Sequence, residues 1–454
     1  MTDGTGSLPP SPAGPAGTDA PRTAPPVFGA GRLRQSLRIS ADFSGELAEG
    51  ARRHGDVFAF RSLLDELPVA VVSHPDHLRS LFAEPRLAPS LAGESPVRPV
   101  VGLSVLTMVG DDHRRRRKLL MPPFHGEAVA RYQAQIEEAT ARQLDRWEAG
   151  ATLRLADAAQ AITLDVIMAG VFGIDRRTGE AERRLRTRVR QVLRLSTSPV
   201  AKAGEFVNLR SAEPVGPQKW VIGLLDRAMF AVIAERRAAH APGERHDILS
   251  LLLDARDEDG SALTDVELRN ELLTLVLAGH ETTANTVAWA FERLTRTPAA
   301  YDRLREEVRS GGEEYLEATV KEAMRARPVV PVVARRPSVP WRFGDFVVPA
   351  ETRVVMAILL THHREDLYPD PERFDPDRFV GVRPSPYAWL PFGGGDRRCL
   401  GAALAMAELR VVLREMARRA DFAVTDAPPE RPRHRNVTMI PAQGGRVRLL
   451  STRP

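Results

Sequence analysis

The run Phe392-Gly393-Gly394-Gly395-Asp396-Arg397-Arg398-Cys399-Leu400-Gly401 brings a thiol, consecutive glycines and two arginines into one short segment. Glycines let a backbone turn tightly and approach a flat ligand. An apolar, helix-forming stretch follows, so the spacing predicts a helix from Cys399 to about Met416 with the thiol at its N-terminus. Helix-end N–H groups and the dipole would favour the thiolate there, and thiolate is the form that binds metal. Cys399 is the only cysteine in the chain. One thiolate cannot build a zinc or iron–sulfur site, but it can be the single protein ligand of a haem iron.

Three further groupings carry chemistry. In Ala278-Gly279-His280-Glu281-Thr282-Thr283 a carboxylate stands beside a hydroxyl on a helix that Gly279 weakens, an arrangement able to relay protons beside a metal. His280-Glu281 also begins the zinc-protease pattern HExxH, which fails because position 284 is Ala. In Glu322-Ala323-Met324-Arg325 the i,i+3 spacing puts opposite charges on one helix face. In His113-Arg114-Arg115-Arg116-Arg117-Lys118 the i,i+4 spacing places His113 and Arg117 together, where two cationic groups can clamp carboxylates. Bulk charge adds little: 64 basic against 59 acidic residues leave +5, with no basic stripe interleaved with aromatics. Nucleic-acid binding is therefore not expected.

These motifs, in this order, resemble those of the cytochrome P450 family over roughly residues 40–450. The match rests on the Cys399 loop, on Glu281-Thr282, on Glu322 to Arg325 with Tyr315-Leu316 before and Pro328 after, and on Pro371-Glu372-Arg373-Phe374. The resemblance implies a triangular, mainly α fold with small β-sheets (α+β) holding one haem b, with Cys399 as the axial metal ligand. Phe392, Gly393, Arg397 and Gly401 would shape the cofactor loop, with Ala278 and Gly279 on the opposite side. Gly279 would leave room for a diatomic ligand. His113, Arg117, Arg335 and Arg397 would bind the propionates, Glu281 and Thr282 would form the acid–alcohol pair of oxygen activation, and Glu322, Arg325 and Arg373 would form a buried structural network. The implied activity is insertion of one oxygen atom of O2 into a small apolar substrate. Terpenoid, polyketide and fatty acyl secondary metabolites all fit. A peroxide-driven haem-thiolate peroxygenase and a haem-binding protein without catalysis remain as alternatives.

The surrounding elements must position these groups. Hydrophobic residues make up 43% of 454, enough for a large core. The longest predicted helix spans 264–296, opened by the capping box of Thr264 and Glu267. Other helices are predicted over 131–148, 155–172, 217–239 and 313–326. Strands are predicted at Val57–Phe60, Val69–Val72, Val332–Ala334, Phe346–Val348 and Arg353–Ile358. Residues 1–30, rich in Pro, Gly and Ala, read as a disordered tail before a single catalytic domain over 31–454. No charged-then-apolar leader and no membrane anchor is read, and a lone cysteine suits a reducing cytoplasm. Only 55 residues follow Cys399, so electrons are expected from a separate ferredoxin and ferredoxin reductase. The arginines near the Cys loop would meet the ferredoxin. Substrate contacts are expected from 86–106, 192–222, Leu275–Leu277, Val329–Val333 and Asn436–Ile440.

Overall fold

The computed structural model describes residues 13–15, 23–29, 31–124, 126–173, 179–196, 214, 216–239, 241–258 and 260–453. The helices that matter here are α1 (Gly110–Leu120), α2 (Gln133–Leu144), α3 (Leu155–Phe172), α4 (Glu180–Ser196), α5 (Asp265–Thr295), α6 (Glu314–Ala326) and α7 (Ala402–Arg419). The strands are β1 (Val27–Phe28), β2 (Val57–Phe60), β3 (Val69–Val72), β4 (Val333–Arg335), β5 (Val354–Met356), β6 (Pro432–Arg435) and β7 (Thr438–Pro441).

Helix α5 organises the interior. Thr264 caps it through the reciprocal bonds with Glu267 that the sequence predicts. Its 31 residues make a rod of about 46 Å at 1.5 Å per residue. Leu268, Leu272, Leu273, Val276, Ala284, Val287, Trp289, Phe291 and Leu294 on it are all fully buried. A helix apolar on nearly every side has to be enclosed by others. Its most extensive contact is with α3. Helix α3 has mean hydropathy 1.5 over 18 residues, long and apolar enough to cross a bilayer, yet 67% of that stretch is buried inside the protein.

A sheet of order β1-β2-β3-β5-β4 packs beside this helical body. Its strands β2 and β3 are buried throughout, as their unbroken Val/Phe/Ala runs require. Residues Ala420–Val424, Arg446–Thr452 and Thr152–Arg154 form a further sheet, and β6 pairs with β7. These C-terminal strands were not anticipated, because their arginine-rich segments show no clean alternation.

Parts of the expected disordered tail are ordered. Ala13–Pro15 pairs antiparallel with Trp341–Phe343, and β1 pairs parallel with β2. Phe28 is buried against Phe58. An open sheet edge offers unpaired N–H and C=O groups, and a short stretch at the edge tolerates Gly and Pro there, so pieces of this segment can dock. The rest of 1–30 lies outside the described residues.

Candidate active site

The Cys399 loop owes its shape to its glycines. Gly393 and Gly395 adopt φ of 66° and 65°. A Cβ on Gly394 would lie 3.0 Å from the Phe82 ring, and one on Gly395 3.0 Å from the Phe82 carbonyl oxygen. The Cys399 N–H donates to the Phe392 carbonyl at 2.9 Å and closes the loop. The Phe392 ring meets the edge of Trp389 at 6.2 Å. The expected helix, however, starts at Ala402 and not at Cys399. The thiol therefore precedes the helix, and a short 3₁₀ turn over Gly395–Arg397 leads up to it. Burial pushes its pKa up, opposed by the Gly401 N–H donated to sulfur and by the charges of Arg117 and Arg398. Desolvation thus outweighs the stabilisation that these groups give the thiolate, and a bound cation is what would keep the sulfur ionised. The residue is exposed to solvent, although surrounding protein desolvates its sulfur. Among the described residues no cluster of three His, Cys, Asp or Glu suits a metal. A metal at Cys399 would therefore have to bring its remaining ligands with it.

The groups expected to clamp carboxylates lie near one another at this place. His113 is buried, and its Nδ1 has no hydrogen-bond partner. Burial, reinforced by Arg397, lowers its pKa to about 4, so at neutral pH it is uncharged. Arg117 lies close enough to feel Cys399 and Asp396. Arg335 is buried with one hydrogen bond, to the Ala334 carbonyl at 3.1 Å, and its guanidinium lies over the Phe82 ring at 5.4 Å. Burial lowers Arg397 to about 10; Asp396 opposes the shift, while Arg335 and Arg117 add to it. Its guanidinium donates to the carbonyls of Val105, at 3.0 Å, and Met108. Three guanidiniums, Arg335 buried and Arg117 and Arg397 half-buried, share Asp396 as the acidic neighbour. An orphaned imidazole nitrogen and this surplus of charge suit a ligand with two carboxylates, and the adjacent thiol suits its metal. The residues fit a haem.

On α5, the Thr282 hydroxyl donates to the Ala278 carbonyl at 2.8 Å. One Glu281 oxygen accepts from Arg435 Nε at 2.8 Å and from the Thr438 hydroxyl at 3.3 Å. Arg435 and Thr438 belong to the β6–β7 hairpin, more than 150 residues away, and no local signal pointed to them. Helix α5 runs unbroken through Gly279, within the predicted span. One expectation needs correction: the space beside Gly279 is not left for a diatomic ligand but is taken by α3, since an added Cβ would lie 2.8 Å from Ile167 Cδ1. The glycine permits close approach of two helices, which the Thr163 hydroxyl bonded to the His280 carbonyl at 2.7 Å also marks.

Glu322 and Arg325 form a fully buried pair at 2.6 Å, and Arg325 also donates to the His362 carbonyl at 2.9 Å. Burial raises the Glu322 pKa, and Arg325 opposes that shift. Arg373 does not join through its side chain, contrary to expectation. That side chain is 67% exposed and reaches Asp375, while its carbonyl accepts from Arg325 at 3.3 Å. Arg378 approaches Glu322 at 3.8 Å instead. The Asp375 N–H donates to Glu322 at 2.8 Å, which fixes the turn so that Arg373 points outward. Sequence reasoning also missed Glu408 on α7. It is buried beneath α5, its carboxyl accepts from Thr283, and burial pushes its pKa up to about 8.

One long buried helix, a sole thiol in a glycine-built loop and cations gathered beside that thiol are what a haem-thiolate protein requires. The sequence profile described as Cytochrome P450 matches residues 21–448. A curated relative named cytochrome P450 137, from Mycobacterium tuberculosis, is 37% identical over 445 residues, covering 97% of this chain and 92% of that one. One named cytochrome P450 135B1, from Mycobacterium bovis, is 38% identical over 436 residues, covering 93% and 89%. A solved cyanobacterial structure, CYP120A1 with retinoic acid bound, superposes with TM-score 0.78 at 23% identity, covering 95% of this chain and all of that one. The chain belongs to the cytochrome P450 family. It is accordingly a haem b-dependent monooxygenase with the family's fold.

Proposed function

We propose that this monooxygenase inserts one oxygen atom of O2 into an apolar organic substrate of secondary metabolism, a terpenoid, polyketide or fatty acyl compound. A separate cytoplasmic ferredoxin and ferredoxin reductase would supply the electrons. The observation that carries the reading is the nearness of the sole thiol to Arg117, and of Arg117 to His113, Arg335 and Arg397. When bound, the haem supplies the oxygen-activating chemistry, and the protein supplies position and protons.

Each residue then has a task. Cys399 would hold the iron, with the Gly401 N–H steadying its sulfur. The arginine cluster and His113 would orient the macrocycle through its carboxylates. Ala278 and Thr282 would lie on the side where oxygen binds. Thr282 donates to the Ala278 carbonyl, which leaves its own oxygen free to accept. Glu281, half-buried and held by Arg435 and Thr438, takes protons from the surface side and passes them towards Thr282. Val97, Val100, Val105 and Leu277 are partly buried apolar side chains on the segments expected to line the substrate cavity, which favours an apolar ligand. Of another expected lining segment, 192–222, residues 197–213 and 215 lie outside the described residues.

The test joins spectrum to turnover. The carbon-monoxide complex of the reduced protein should show the strongly red-shifted Soret band of thiolate ligation, and Cys399→Ala should abolish it. Apolar metabolites that change the iron spin state should be oxidised when NAD(P)H, ferredoxin and reductase are present. Product from peroxide alone, with none from the electron chain, would assign a peroxygenase. Spin-state binding without product under either condition would assign a haem carrier.

A further inference from the structure

Away from the Cys399 site, three helices enclose a recess of about 390 Å³ lined by five arginines. The sequence builds it by spacing. On α4, Arg183, Arg186, Thr187 and Arg190 follow i, i+3, i+4, i+7 and so share one face. Arg142 near the end of α2 and Arg146 just beyond it stand across from them, and Asp165 of α3 forms the floor between.

The charges inside do not balance. Asp165 alone receives Arg186, Arg190 at 3.3 Å and Arg142 at 3.7 Å. Glu138 holds Arg142 from the rim. Arg146 and Arg183 have no ion pair among the described residues. Five guanidiniums thus face two carboxylates. Arg186 Nε is buried without a hydrogen-bond partner. Surface arginines ordinarily spread into solvent, where a pair contributes little. Here five line one concavity, Arg142 and Arg186 half-buried and Arg146, Arg183 and Arg190 at its exposed rim, and their like charges repel one another until an anion enters.

We propose that this recess binds a diphosphate group. Guanidiniums pair with phosphate oxygens in bidentate fashion. A diphosphate carries charge comparable to the unpaired surplus, whereas a monophosphate leaves more of it unmet. The volume lies in the range of small-molecule sites, so a diphosphate fits with room for part of an organic group attached to it. Asp165 occupies the position of the anion and competes with it.

Calorimetric titration of the haem-loaded protein at low salt tests this, with inorganic pyrophosphate, inorganic phosphate, sulfate and ADP as probes. Pyrophosphate should bind one to one, at least about tenfold tighter than phosphate or sulfate, and weaken as salt rises. The Arg146→Ala/Arg183→Ala double variant should lose about tenfold or more, since both groups are free of structural pairing. Asp165→Asn should tighten binding. The haem spectrum and circular dichroism of each variant check that the fold persists. ADP binding as tight as pyrophosphate identifies a diphosphate carried on an organic molecule; pyrophosphate alone identifies the free ion. Equal binding of all anions, binding unaffected by the double variant, or no heat at millimolar probe would overturn the proposal. Monooxygenase activity plays no part in these readouts.

Discussion

Gly279→Ala sets two effects of opposite sign against each other. In a helix interior, Ala is better than Gly by about 1 kcal/mol. Were Gly279 there only to loosen α5, the substitution would stabilise the protein by that amount. The structure gives the added Cβ another consequence: it would lie 2.8 Å from Ile167 Cδ1 and 3.1 Å from Cγ1. Both helices are buried and neither can retreat without disturbing further layers. Overpacking of this kind costs about 1–3 kcal/mol. The expected net is destabilisation of about 1 kcal/mol, seen as a lower urea midpoint with an unchanged slope. Ile167→Val removes Cδ1 and alone costs about 0.5–1.5 kcal/mol. In that background Gly279→Ala should become neutral or stabilising, a coupling of about 1–2 kcal/mol. Circular dichroism across urea series of the four proteins measures the cycle. If Gly279→Ala stabilises the otherwise unchanged protein, or if the two effects simply add, the helix-contact account is wrong.

Other perturbations have equally definite outcomes. Glu408, with its pKa raised from 4.5 to about 8, keeps its proton in the folded state while the unfolded chain loses it. It therefore contributes a stability that falls as pH rises from about 5 to 8, by at most about 1.4 kcal/mol per unit, and levels off above. Glu408→Gln should flatten that slope in urea midpoints measured across the range, and an unchanged slope would count against the buried acid. Glu322→Gln strips Arg325 of its buried counter-ion and should cost about 3–5 kcal/mol, whereas Arg373→Ala should cost under about 0.5 kcal/mol because that side chain is exposed; equal losses would restore Arg373 to the network. Arg398→Glu, at an exposed position beside the thiol, should slow reduction by ferredoxin in stopped-flow traces and leave substrate affinity unchanged, and equal rates would exclude this face as the docking site.

Local patterns carried most of what the sequence could tell. The Cys399 loop, the α5 capping box and the Glu322/Arg325 pair were legible because each is set by backbone geometry or helical spacing within ten residues. The same locality made His113 and Arg117 readable as one face. What spacing could not supply was any partner contributed by a distant segment. Arg435 and Thr438 reach Glu281 only because the C-terminal hairpin folds onto α5, and Arg378 replaces Arg373 beside Glu322 only because a hydrogen-bonded turn points Arg373 outward. Gly279 reads locally as a weak point in a helix, and only Ile167 of α3 packed against it gives the glycine its role. Even the thiol's surroundings depended on packing, since its distance from the α7 N-terminus and its desolvation arise from chains crossing the loop. Sequence order determines which groups share a helix face or turn. Which faces then meet depends on the burial of apolar surface between distant segments, and only the folded chain settles that.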